Sequence, residues 1–102
     1  MKPLKLDNLV NAVKMSILHP DTFEVPSFED ISAVQPGDFV KICLESEDDA
    51  ERFWCEVKNI DVAKRIIHAE VANCLIYFDY EPGTLLEIKF DEVYNILEKQ
   101  DA

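Results

Sequence analysis

The sequence predicts an α+β domain: an N-terminal amphipathic helix packed on a strongly curved antiparallel sheet of four to five strands. Such a sheet can close into a partly open, SH3-like barrel. Three observations carry this. Apolar residues recur at spacings of three and four near the N-terminus, and four later runs alternate apolar with polar. The chain's two glycines sit in matching Pro-Gly turns ahead of strands. At 102 residues the expectation is one domain, 1–102, large enough to bury about 60–65% of the surface its unfolded chain exposes.

The helix is expected over 4–18. Leu6, Leu9, Val10, Val13 and Ile17 form an apolar stripe, while Asn8, Asn11, Lys14 and Ser16 fall largely off it. Asp7 suits the helix start. His19-Pro20-Asp21 ends the helix, because the residue before a proline is pushed out of the α region. Residues 19–37 then read as a connector, with one capped helical turn at Ser27-Phe28-Glu29-Asp30-Ile31. Phe23, Val25 and Phe28 are expected to pin it to the core.

The sheet is expected over 38–96. Val40, Ile42 and Leu44 share one face of the first strand, and Phe53, Cys55 and Val57 one face of the second. Ile67, Ala69 and Val71 group in the third, and Leu86, Ile88 and Phe90 in the fourth. Gln35-Pro36-Gly37-Asp38 and Glu81-Pro82-Gly83-Thr84 specify type II turns, since proline fixes φ near −65° and glycine accepts φ > 0. Val93 to Leu97 reads as a short strand or a helical turn, and 97–102 as a frayed tail.

Composition narrows the function. The net charge is −11, from 21 acids against 10 bases, and residues 1–20 carry +2 of it, leaving −13 on the rest. A surface this negative repels a phosphate backbone, which argues against direct nucleic-acid contact, and it favours a basic protein partner. Acidity also serves solubility alone. No apolar stretch approaches the roughly 18 residues of a membrane span, and the opening residues carry no signal-peptide core. The expected location is therefore cytoplasmic. Cys43, Cys55 and Cys74 have no C-x-x-C spacing and read as reduced, buried, small apolar residues.

Three stretches are candidates for partner binding. Glu45, Glu47, Asp48, Asp49 and Glu51 crowd one hairpin tip, either as a negative hook or as a solvated turn. A calcium loop would need a glycine that the stretch lacks. Trp54 alternates away from the core face and is either an interface hot spot or, if the helix lies over it, core. Tyr77, Asp79, Tyr80 and Glu81 combine aromatic and acidic groups in a segment that is either an interface loop or an extra strand. His19 and His68 share no metal-site spacing, no triad is recognisable and no phosphate-binding glycine loop exists. Neither an enzyme nor a cofactor is expected.

Pro36-Gly37-Asp38-Phe39-Val40-Lys41, followed by Glu51-Arg52-Phe53-Trp54-Cys55-Glu56-Val57, resembles a family of small bacterial domains of unknown function. That family is marked by Gly-Asp-x-Val-Lys and Glu-Arg-x-Trp-x-Glu-Val strands. Val71-Ala72-Asn73 and Gly83-Thr84-Leu85-Leu86-Glu87-Ile88-Lys89-Phe90 continue the likeness, which spans roughly 19–96. At Asn73-Cys74-Leu75 the chain departs from the family's Asn-acid-Pro turn. The resemblance implies the fold and no activity.

The functional expectation is a non-catalytic acidic binding module, an immunity or inhibitor protein for a basic partner. The alternative is an accessory domain binding a peptide, a subunit or a second copy through the sheet face. A small-molecule binder or enzyme ranks behind both.

Overall fold

The computed structural model describes residues 2–19 and 24–99. It is an α+β fold whose elements run β1 (Leu4–Lys5), α1 (Ala12–Leu18), α2 (Phe28–Ser32), β2 (Phe39–Glu45), β3 (Ala50–Asp61), β4 (Ile66–Val71), β5 (Leu85–Lys89), a 3₁₀ turn (Phe90–Glu92) and β6 (Asn95–Leu97). The strands form one sheet in the order β1-β5-β4-β3-β2-β6. All pairings are antiparallel except β1 with β5. β1 and β6 are its two free ends, so the sheet is not closed into a barrel.

Alternation along the four long strands places the core as the sequence implies. Val40, Ile42, Leu44, Phe53, Cys55, Val57, Ile67, Ala69, Val71, Leu86 and Ile88 are all buried on one face. Phe90, expected to extend the β5 run, is also buried but belongs to the 3₁₀ turn. Burial raises the Cys55 thiol to about 12, which keeps it protonated and inert. Cys43 is buried as well, but Cys74 is exposed. It follows β4 in a loop, where no strand face draws it inward.

The N-terminal helix is much shorter than expected. Leu4 and Lys5 lie parallel to Leu86 and Glu87, and Leu9 bridges Leu44. Leu6 and Leu9 pack on the main core, while Val10 packs with Ala12, Cys43 and Tyr94 in a second, smaller cluster. Neighbours Leu9 and Val10 thus serve different clusters, as extended chain permits. Asp7 is not the cap. Asn11 is, its Oδ1 accepting the Lys14 amide at 2.8 Å, so the helix begins where a side chain can satisfy its free amides.

Nor does α1 form the lid of the core. Val13, Ile17 and Leu18 are exposed. Ile31, Val34, Phe90 and Val93 cover the core face instead, with Leu75, Phe78 and Tyr80 packed against it. The Ser27 hydroxyl accepts the Asp30 amide at 3.1 Å, capping α2 at the expected residue. Val25 packs on the second cluster and Phe28 is exposed. Phe23 and the residues after Lys99 fall outside the described residues.

The two Pro-Gly turns adopt one pattern. Gly37 and Gly83 have φ of 97° and 94°. The Asp38 amide reaches the Gln35 carbonyl at 3.0 Å and the Thr84 amide reaches Glu81 at 3.1 Å, which closes each turn. Gly37 donates to the Val57 carbonyl at 2.9 Å, and Gly83 to the Val71 carbonyl at 2.8 Å. The first turn therefore docks on the middle of β3 and the second on the end of β4. The sheet has six strands rather than four or five because the short β1 and β6 extend its edges.

Candidate functional site

β3 is longer than β4. Their pairing ends at Cys55 with Val71, so β3 residues 50–54 project past the last residue of β4. The chain after β4 runs alongside that projection. Ala72 donates to the Trp54 carbonyl at 3.0 Å. The Trp54 amide, which another strand residue would have paired, donates to Asn73 Oδ1 at 2.7 Å. A short amide side chain here substitutes for a backbone carbonyl and ends the ladder.

Glu51 completes the arrangement. Its carboxylate accepts the Ile76 amide at 2.8 and 3.0 Å and the Tyr77 amide at 2.9 Å. Charge-assisted bonds of this kind are about twice as strong as neutral ones. They tie the 75–77 stretch to the first residues of β3. Leu75, Phe78 and Tyr80 turn inward onto the core, and Ile76 and Tyr77 turn out, 81% and 59% exposed.

The β2–β3 hairpin tip lies at this same end. Ser46 closes it, donating its amide to the Asp49 carbonyl at 2.7 Å and accepting the Asp49 amide on Oγ at 3.2 Å. Glu45, Glu47 and Asp48 are left exposed, and Asp49 is half-buried. Asp79 and Glu81 are exposed on the loop that leads to β5. Two stretches far apart in sequence thus meet at one end of the sheet, which carries an exposed apolar pair and several exposed carboxylates. A large exposed aliphatic and a tyrosine set among charges is the composition of an interface, with an anchor at the centre and a polar rim.

Two of the expected contact residues do other work. Tyr80 is half-buried against the core, and Glu51 spends its carboxylate on the loop. Trp54 lies on the outer face, outside both core clusters, and α1 does not cover it. It is half-buried, with Lys41 Nζ 5.7 Å from its ring centroid, a cation–π distance. Beyond it, Lys58 joins Glu56 at 2.6 Å and Glu70 at 3.5 Å. The Glu56 hydrogen bond holds the Lys58 ammonium above its ordinary range. His68 meets Glu87 at 3.3 Å. Around Trp54 the outer face is therefore dominated by paired charges.

Sequence reading missed Ile76 and Asn73 as parts of this site. The signal for Asn73 was its place just past an alternating run. Ile76 gave none, since Leu75, Ile76, Tyr77 and Phe78 are all apolar and only the Glu51 clamp decides which of them turns out.

A second acidic concavity, of about 560 Å³, lies between the connector and the C-terminal strand, with Glu24, Asp30, Asp38 and Glu98 around it. Asp38 is already committed there to two backbone amides. Among the described residues, no group of three or more His, Cys, Asp or Glu side chains is arranged to hold a metal ion, and no helix is long and apolar enough to cross a membrane.

Comparison with protein-family models, curated proteins and solved structures returns no match for this chain.

The Glu51 clamp makes a direct prediction. Glu51→Ala should leave the core strands intact but free residues 75–77. The Ile76 and Tyr77 amides should then lose their hydrogen-exchange protection relative to β4. Two charge-assisted bonds to a half-buried carboxylate set the expected loss at about 2 kcal/mol.

Proposed function

We propose that this chain is a non-catalytic acidic protein-binding module that docks on a basic partner through the end of the sheet formed by the β2–β3 tip and the 74–81 loop. It belongs, in this reading, to the neutralising kind: an immunity or inhibitor protein that covers a basic, nucleic-acid-binding surface. The observation that carries the reading is the Glu51 clamp. It holds exposed Ile76 and Tyr77 against the start of β3, the end of the sheet that also carries the exposed residues Glu45, Glu47 and Asp48. The acidic fringe supplies long-range attraction and faster encounter, and the apolar pair supplies burial that salt does not screen.

The test is capture of partners from lysate at low and moderate salt, followed by affinity measurements with the partner found. A stoichiometric basic protein, held more weakly as salt rises, is expected. Glu47→Lys with Asp48→Lys should weaken it at low salt by about tenfold or more, and Tyr77→Ala should weaken it at any salt. A partner indifferent to both changes would remove this end of the sheet from the reading.

The open face around Trp54 supports a second reading, an accessory domain that takes a peptide, a subunit or a second copy of itself. Trp54 is uncovered by α1 and stacked with Lys41. Binding through it would survive rising salt and fall with Trp54→Ala.

A further inference from the structure

At the opposite end of β3 and β4, where Asp61 pairs with Ile66, the surface has a different character. An open groove of about 370 Å³ runs between α1, α2 and the β3–β4 turn. Val13, Phe28 and Phe90 give it an apolar floor, and Lys64, Arg65 and Lys89 rim it. The chain carries 21 acids to 10 bases, yet three of its bases converge here. Asp91 is the one carboxylate among the described residues of the lining, and it accepts a hydrogen bond from the Asn11 side-chain amide at 3.0 Å.

The three cations form no ion pair among the described residues. Lys64 and Lys89 are exposed. The Arg65 guanidinium lies 4.9 Å from the Phe28 ring centroid, which orients it over the apolar floor. Arg65 is also the one non-glycine described residue with positive φ, at 57°. Its carbonyl accepts the Phe90 amide at 3.1 Å, which holds the strained turn against the 3₁₀ segment. Cations fixed around an apolar trough suit a ligand with anionic flanks and an apolar centre.

We propose that this groove binds an acidic peptide segment of a partner protein, its aliphatic or aromatic anchor seated on Val13, Phe28 and Phe90 and its carboxylates on Lys64, Arg65 and Lys89. Charge complementarity selects the sign of the partner. The length of the apolar surface selects a peptide over a compact small molecule. Val13 continues along α1 to Ile17, one turn away on the same face and 73% exposed, so the apolar track leads out of the groove. The chain's overall negative charge does not forbid this, because acids more than a Debye length of about 8–10 Å away are screened at physiological salt. This site is independent of the acidic end described above, and either can fail without the other.

The test titrates the isotope-labelled full chain, observed by amide NMR, with a blocked peptide of glutamates carrying a central Leu-Phe pair. Saturable shifts at Lys64, Arg65, Ile66, Lys89 and Phe90 are expected. They should weaken about tenfold or more in the double variant Lys64→Glu, Lys89→Glu, whose core resonances should stay in place because both residues are exposed. Replacing Leu-Phe by Ser-Ser should also abolish them. No saturable shift at millimolar peptide, or equal binding by the double variant, overturns the proposal. Tighter binding of dodecanoate than of the peptide would assign the groove to a small amphipathic anion. Self-association lost in the double variant would assign it to a second copy. Either outcome overturns the peptide as occupant.

Discussion

Leu86→Ala should lower stability by about 2–5 kcal/mol, the usual cost of emptying a fully buried leucine site, whereas Leu85→Ala should cost under about 1 kcal/mol. The two residues are neighbours of one type in β5. Leu86 is 0% exposed on the core face, and Leu85 is half-buried on the outer face opposite Glu70. A domain of this size has a total stability of about 5–15 kcal/mol. The first substitution therefore removes a large share, and should lower Tm by about 10 °C or more. Urea unfolding of both variants measures the difference. Because a strand's side chains have period two, a one-residue slip of β5 would exchange the two results. Reversed costs would mean that the register Ala69 with Leu86 and Ile67 with Ile88 is wrong.

Asp38 should be the polar residue to which stability is most sensitive. It is buried, 7% exposed, and joins parts of the chain distant in sequence. Oδ2 accepts the Gln35 amide at 2.9 Å and Oδ1 the Lys99 amide at 2.9 Å. One carboxylate thus closes the first Pro-Gly turn and fastens the end of β6. The Lys99 amide is the main reason its carboxyl sits below the ordinary value of 3.8, and burial acts against it. Asp38→Ala should cost about 2–4 kcal/mol, as expected when two amides lose a charged acceptor. Asp38→Asn, which keeps one acceptor oxygen, should cost about half as much.

The pH dependence follows from the same bonds. The native pKa of Asp38 lies below the unfolded one, so its contribution is fully present above the unfolded value and is lost as pH falls through the native value. Glu92 has the opposite sign. Burial raises its carboxyl above 4.5, so its contribution is present below that value and is lost as pH rises through the native one. Comparing the native chain with Asp38→Asn between neutral pH and about pH 2 cancels Glu92. The stability gap between them should narrow as the medium becomes acidic. A constant gap would show that the Asp38 charge adds nothing.

Local patterning carried much of the architecture. Alternation identified the core face of four strands residue by residue, because a half-buried strand exposes every second side chain to water. The Pro-Gly pairs located both type II turns, because proline and glycine set their own φ. The Ser27 cap is local for the same reason. By contrast, the spacing of Leu6, Leu9, Val10, Val13 and Ile17 fits a helix, yet residues before Asn11 run extended along β5 and β2. Pairing with a sheet edge and packing on two separate clusters outweighed a helical periodicity that is only a weak preference.

The candidate site divides in the same way. The acidic tip, Trp54 and the aromatic loop were each visible as composition, and none announced that it belonged with another. Glu51 read as one more acid in a charged turn, but its partners lie 25 and 26 residues away. Residues 75–78, uniformly apolar, carry no alternation that could mark Ile76 and Tyr77 as outward and Leu75 and Phe78 as inward.

The sequence by itself determined the α+β class, the strand faces, the two turns and the sign of the overall charge. These rest on the preferences of residues near one another along the chain. The tertiary structure alone decided where α1 starts, what covers the core, that Glu51 holds the 74–81 loop at the hairpin end of the sheet, and that Lys64, Arg65 and Lys89 surround an apolar groove. Those depend on contacts between residues far apart in sequence, and such contacts are settled only when the chain closes on itself.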